Sequence, residues 1–127
     1  MGWFFEDEAN KYAEEVEDSL TSNSALVSAL WPLEVANALL VGERRKRTTE
    51  AKVTQFLALL GSLPITVDDE TGIRAFQETL SLARAQNLSV YDATYLELAL
   101  RQRLPLASLD GSLRSAAAKV GVALHQP

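Results

Sequence analysis

Hydrophobic residues recur along this chain with two periods, and the switches between them predict its elements. Ala9, Tyr12, Ala13, Val16 and Leu20 fall on one helical face while Glu8, Lys11, Glu14, Glu15 and Glu17 point away. That spacing predicts an amphipathic helix through Leu20, capped by Asp7. "TSNS" breaks it, and "ALVSA" (25–29) is short and apolar enough for a buried strand. Pro32 suits a helix start, because the N–H it lacks would be unpaired there. This helix carries Leu33, Val35, Ala36, Leu39 and Leu40 towards Gly42. "TTEAKVTQFLALLG" predicts a further helix, with Thr48 or Thr49 as cap and Gly61 as terminator. "PITV" (64–67) reads as a strand. Asp68 or Asp69 then precedes a helix with Ile73, Phe76, Leu80 and Ala83 on one side and Asn87 as a left-handed stop. Ser89 and Asp92 have capping-box spacing ahead of a helix to about Arg103. "LPLASLD" (104–110) predicts a strand ending on an acid, Ser112 caps a last helix ended by Gly121, and "VALHQ" closes with a strand.

Short apolar strands alternating with amphipathic helices predict an α/β fold, a parallel sheet covered by helices on both faces. The 127 residues suit one domain, and 47% apolar against 23% charged is a globular balance. With no cysteine there is neither a disulfide scaffold nor a thiolate metal site, which fits a reducing cytoplasm. No apolar run is long enough to span a bilayer. The net charge of −5 argues against binding nucleic acid by charge alone, yet Arg44, Arg45, Lys46 and Arg47 form one basic cluster. A negative chain with one basic patch also fits an acidic site that needs cations before it can approach phosphate.

In open parallel sheets ligands bind beyond the carboxyl ends of the strands. Three acids belong to that edge: Glu34 in the first turn after the 25–29 strand, Asp92 in the first turn of the helix from Ser89, and Asp110 at the end of the 104–110 strand. Without a histidine pair or cysteine, the donor set is not that of zinc. Hard oxygen ligands suit Mg²⁺ or Mn²⁺, which bridge readily to phosphate. Each acid also has a local explanation. Asp92 and Glu34 favour the positive end of a helix dipole, and Asp110 before Gly111 is ordinary turn chemistry. His125 reads as surface, and Trp31, Tyr91 and Tyr95 read first as packing residues.

On "WPLEVANALL" (31–40), "LSVYDATYLELALRQRLPLASLD" (88–110) and the closing "AAAKVGVAL", the chain resembles the PIN-domain ribonucleases, and within them the VapC-type toxins of toxin–antitoxin pairs. The likeness covers nearly the whole chain in order and spacing. It implies a three-layer α/β/α PIN-like fold with a short parallel sheet flanked by helices. It implies a metal-dependent endoribonuclease with Mg²⁺ or Mn²⁺ as cofactor, acting on RNA in the cytoplasm. Glu34, Asp92 and Asp110 match the family's metal-binding and catalytic acids, Asn37 and Ser108 match polar positions near that site, and the cluster from Arg44 to Arg47 is the candidate track for the RNA backbone. The partners it implies are a VapB-type antitoxin and a second copy of the chain.

One departure is large. Members of that family open with a strand running into Asp-x-Ser or Asp-x-Thr, whose acid is a principal ligand, whereas this chain starts at Met1-Gly2-Trp3, after that point. The expectation is therefore one PIN-like domain over 1–127, truncated at its N-terminus, with weak or absent cleavage as written; an upstream extension should cleave better. The other reading is a non-catalytic PIN-like module that binds an antitoxin or itself and uses its acids only for capping. Trp3, Phe4 and Phe5 are expected to pack on the core or on a partner.

Overall fold

Pro32 stands where the first helix needs it. In the computed structural model, which describes residues 24–125, helix α1 (Trp31–Arg44) begins with Pro32 in its first turn. The helix expected over 7–20, the aromatic run Trp3, Phe4 and Phe5, and Gln126 of the closing strand lie outside the described residues. Helix α2 (Glu50–Gly61) is capped by Thr49, whose hydroxyl accepts from the Lys52 N–H at 3.2 Å. Thr48, the alternative cap, is buried instead. Strand β1 (Ala25–Val27) pairs with β2 (Ile65–Val67) in a two-stranded parallel sheet. The ladder runs from the Ala25 N–H, which donates to the Pro64 carbonyl, to the Asp68 N–H, which donates to the Val27 carbonyl.

The chain after β2 is helical with one irregularity. Helix α3 (Thr71–Arg74) runs into a π-helical turn (Ala75–Thr79) and then into α4 (Leu80–Gln86). The sequence places Ile73, Phe76, Leu80 and Ala83 on one side, and the structure overturns this. Ala83 is buried and Leu80 half-buried, while Ile73 is 79% and Phe76 87% exposed. A π turn holds one extra residue, so everything before it rotates by about 100° relative to everything after it. Ile73 and Ala83, roughly 80° apart on a regular helix, end on opposite sides. Asn87 stops α4 at φ 55°, as its side chain favours.

Helix α5 (Val90–Gln102) and helix α6 (Gly111–Lys119) are capped by Ser89 and Asp110. The strands expected at 104–110 and 122–126 shorten to one parallel bridge between Leu106 and Leu124. The Leu106 N–H donates to the Ala123 carbonyl and the His125 N–H to the Leu106 carbonyl, and the residues on to Asp110 add no further rungs among the described residues. His125, expected at the surface, is half-buried with its Nε2 enclosed. Helix α5 ends on Arg103 at φ 56°, a left-handed residue carrying a Cβ. Arg103→Gly is expected to stabilise the fold by about 0.5–1 kcal/mol. The check is a higher urea midpoint at unchanged slope.

The described residues form two compact units, 24–26 with 30–66 and 27–29 with 67–125. In the first, Val35 and Leu39 of α1 pack with Val53 of α2, and Trp31, Phe56 and Leu60 close over them. Trp31 is thus core lining, as the sequence suggests. In the second, Leu96 and Ala99 of α5 pack with Leu113, Ala116 and Ala117 of α6 and with Leu106 and Val122. Tyr95 packs against this core, whereas Tyr91, also expected to pack, is 68% exposed.

Candidate functional site

Each expected acid sits where a helix begins. Glu34 lies in the first turn of α1, exposed, with its N–H donating to the Leu30 carbonyl. Asn37 is exposed one turn later. Arg44, Arg45, Lys46 and Arg47 follow the end of α1, all exposed, with Lys46 in the left-handed region at φ 59°. These residues belong to the first unit.

Asp92, Ser108 and Asp110 belong to the second unit. The Ser89 hydroxyl caps α5 by accepting from the Asp92 N–H at 3.0 Å. The return bond of a capping box, from the Ser89 N–H to the Asp92 carboxylate, is not made among the described residues. The half-buried Asp92 carboxylate is therefore not consumed by capping. Asp110 does cap: its Oδ2 accepts from the Leu113 N–H at 2.8 Å, leaving Oδ1 for another partner. The structure brings Ser108 and Asp110 together, with the Ser108 hydroxyl accepting from the Asp110 N–H at 3.1 Å. Arg114 holds the same turn by donating to the Ser108 carbonyl at 2.9 Å.

A second group of charges escaped the sequence reading. Asp68, just past β2, is buried, and so is Glu97 in the middle of α5. Arg101, one turn after Glu97, reaches both: Nη2 to Asp68 Oδ2 at 2.7 Å, and Nε to Glu97 Oε2 at 2.9 Å. Its Nη1 also meets Glu70 Oε2 at 3.3 Å. Arg101 is thus fully engaged inside the unit. The Thr71 hydroxyl adds a donor to Asp68 Oδ2 and accepts from the Ala29 N–H. Arg101 beside Asp68 holds that carboxyl below its ordinary value, against the opposing effect of burial, and the two carboxylates hold the guanidinium's proton more tightly than usual. The signal in the sequence was the Glu97–Arg101 spacing of four within an otherwise apolar helix face.

Asp68, Asp69 and Glu70 also offer carboxylate oxygens that all lie within 4.8 Å of one another. By composition such a trio is compatible with a cation. Asp68 and Glu70, however, already meet Arg101, and Glu70 also accepts from Arg74 at 3.0 Å, so a metal there would compete with guanidinium groups. Among the described residues neither the Asp92 carboxylate nor Asp110 Oδ1 meets a guanidinium group.

Acids at helix starts in a helix-rich α/β chain with a short parallel sheet are what the resemblance implies, and the family comparison decides it. The sequence matches the PIN domain over residues 1–119. The chain belongs to the PIN domain family. The match runs across both compact units and takes in Glu34, Asp92 and Asp110. No curated protein matches the chain. PIN domains are typically metal-dependent nucleases acting on RNA, and the oxygen-only character of these acids fits the divalent ions that such domains bind. Among the described residues no helix is long and apolar enough to cross a membrane.

Proposed function

We propose that this PIN domain is a Mg²⁺- or Mn²⁺-dependent endoribonuclease of the VapC type, neutralised by a VapB-type antitoxin and forming a homodimer. Glu34, Asp92 and Asp110 are its metal-holding carboxylates. The observation that carries this reading is that Asp92 and Asp110, the acids that the resemblance matches to the family's site, keep carboxylate oxygens that helix capping does not use.

When bound, a divalent ion supplies a water of lowered pKa and charge compensation at the phosphoryl oxygens. The chain's own residues do the rest. Asp110 is anchored through Oδ2, so it presents Oδ1 in one orientation. Ser108 and Arg114 fix the turn that carries it. Asn37 is a polar neighbour one turn from Glu34 and offers an amide donor to substrate oxygen. Arg44, Arg45, Lys46 and Arg47 are exposed, and their charge would offset phosphate along an RNA strand.

The test is cleavage of single-stranded RNA by the purified chain in Mg²⁺, in Mn²⁺ and in EDTA, beside isothermal titration with each ion. The expected outcome is ion binding, with whatever cleavage occurs abolished by EDTA. No heat of ion binding and no cleavage would favour the binding module, for which the exposed Ile73 and Phe76 speak.

A further inference from the structure

Thr94 ties the first turn of α5 to the interior. Its hydroxyl donates to the Tyr91 carbonyl at 2.7 Å and bonds the Ser28 hydroxyl, 66 positions away, at 3.0 Å. Ser28 is fully buried and Thr94 is 6% exposed, and both belong to the second unit. Ser28 is itself flanked by two tethers. The Val27 carbonyl accepts from the Asp68 N–H at 2.7 Å, and the Ala29 N–H donates to the Thr71 hydroxyl at 3.1 Å. The Tyr91 carbonyl and the Asp92 N–H share one peptide plane. That plane is held at both ends, at its N–H by the Ser89 hydroxyl and at its carbonyl by Thr94. The two holds differ. Ser89 is exposed, so water can stand in for its hydroxyl. Ser28 and Thr94 are closed off from bulk water, and a hydrogen bond in a low-dielectric interior is the firmer one.

A helical threonine that needs a partner only for its own hydroxyl finds one a turn back, so the Tyr91 bond would be enough. The bond to Ser28 adds an anchor outside the helix. We propose that Ser28 and Thr94 are positioning residues for Asp92. They hold the peptide that precedes it, so its Cα–Cβ bond keeps one direction and its carboxylate meets a divalent ion at one place. Mg²⁺ demands near-ideal octahedral geometry, so a ligand that swings loses affinity. The inference rests on the metal-holding role proposed for Asp92 and deepens it by naming what aims that acid.

Thr94→Val removes the hydroxyl and keeps a side chain of similar size. Isothermal titration of the full chain with Mn²⁺ is expected to give an affinity lower by about 10-fold, the effect of losing a group that orients a ligand. Thr94→Ser, which keeps the hydroxyl, is expected to restore it. Ser28→Ala removes only the anchor and is expected to weaken binding several-fold. Ser89→Ala is the comparison: it gives up the exposed bond to the same peptide and is expected to bind Mn²⁺ as the wild type does. The Tyr91 carbonyl carbon resonance reports the clamp without any metal. It is expected to move upfield in Thr94→Val and to stay in place in Thr94→Ser. A displaced resonance with wild-type Mn²⁺ affinity overturns the positioning role and leaves Asp92's own role standing. So does an affinity loss that Thr94→Ser fails to restore, which would mark a merely structural threonine. Should Thr94→Val not fold, wild-type affinity in a folded Ser28→Ala overturns the anchor. A wild type that binds no ion overturns the metal reading of Asp92 and this inference with it, so the two failures are told apart.

Discussion

Arg101→Ala is expected to destabilise the protein by about 3–5 kcal/mol, because it strands buried charges. Asp68 and Glu97 are both less than a tenth exposed, and Arg101 is the cation that meets them. Without it two carboxylates remain in a region of low dielectric with no opposite charge. Arg101→Lys is expected to recover only part of the loss, because an ammonium cannot reproduce the fork that spans Asp68 and Glu97. Urea unfolding read by circular dichroism checks both. The pH dependence follows from Asp68, whose folded pKa lies below its ordinary value of 3.8. A depressed carboxylate contributes stability that is fully present above the unfolded pKa and is lost as pH falls through the folded one. Wild-type stability should therefore fall as pH drops below about 4. In Arg101→Ala burial acts on Asp68 without its partner, so protonation relieves the strain. The gap between variant and wild type should narrow over the same window, and a constant gap would show that the pair is not what Arg101 contributes.

Asp92→Asn is expected to cut metal-dependent RNA cleavage and ion affinity by more than about 100-fold, since loss of a partner that merely orients a ligand costs 10–100-fold. It should leave folding stability nearly unchanged, because the Ser89 hydroxyl and the Asp92 backbone N–H make the cap. Ser89→Ala is the converse: about 1 kcal/mol of stability lost, with ion binding retained. Asp110→Asn separates the two roles within one residue. The amide oxygen still accepts from the Leu113 N–H, so the cap survives while the charge that would hold an ion is gone. Ion titration reports on all three variants even where cleavage is slow. If Asp92→Asn and Ser89→Ala instead cost equal stability and leave ion binding alone, the acid is only a capping residue and the nuclease reading fails.

The individual acids were legible before any coordinates, and so was much of their setting. Thr49 and Ser89 as caps, Pro32 at a helix start and Asn87 as a left-handed stop all rest on interactions within three or four residues. Family membership was legible as well, because it lives in the order and spacing of short motifs.

What the amino-acid order settled unaided was therefore local: where most helices begin and end, although Asp110 and not Ser112 caps the last one, and which stretches are apolar enough for strands. Capping and turn preferences act over a single turn, so neighbours in sequence are enough to decide them. Tertiary structure decided what hangs on distant partners or on accumulated phase. Arg101 meets its buried partner Asp68 from 33 positions away. The strand expected at 104–110 keeps one bridge because pairing depends on the neighbour it meets, here Leu124. Ile73 and Phe76 face outward because a single extra residue in a helical turn rotates everything before it, a displacement that residue types alone do not encode.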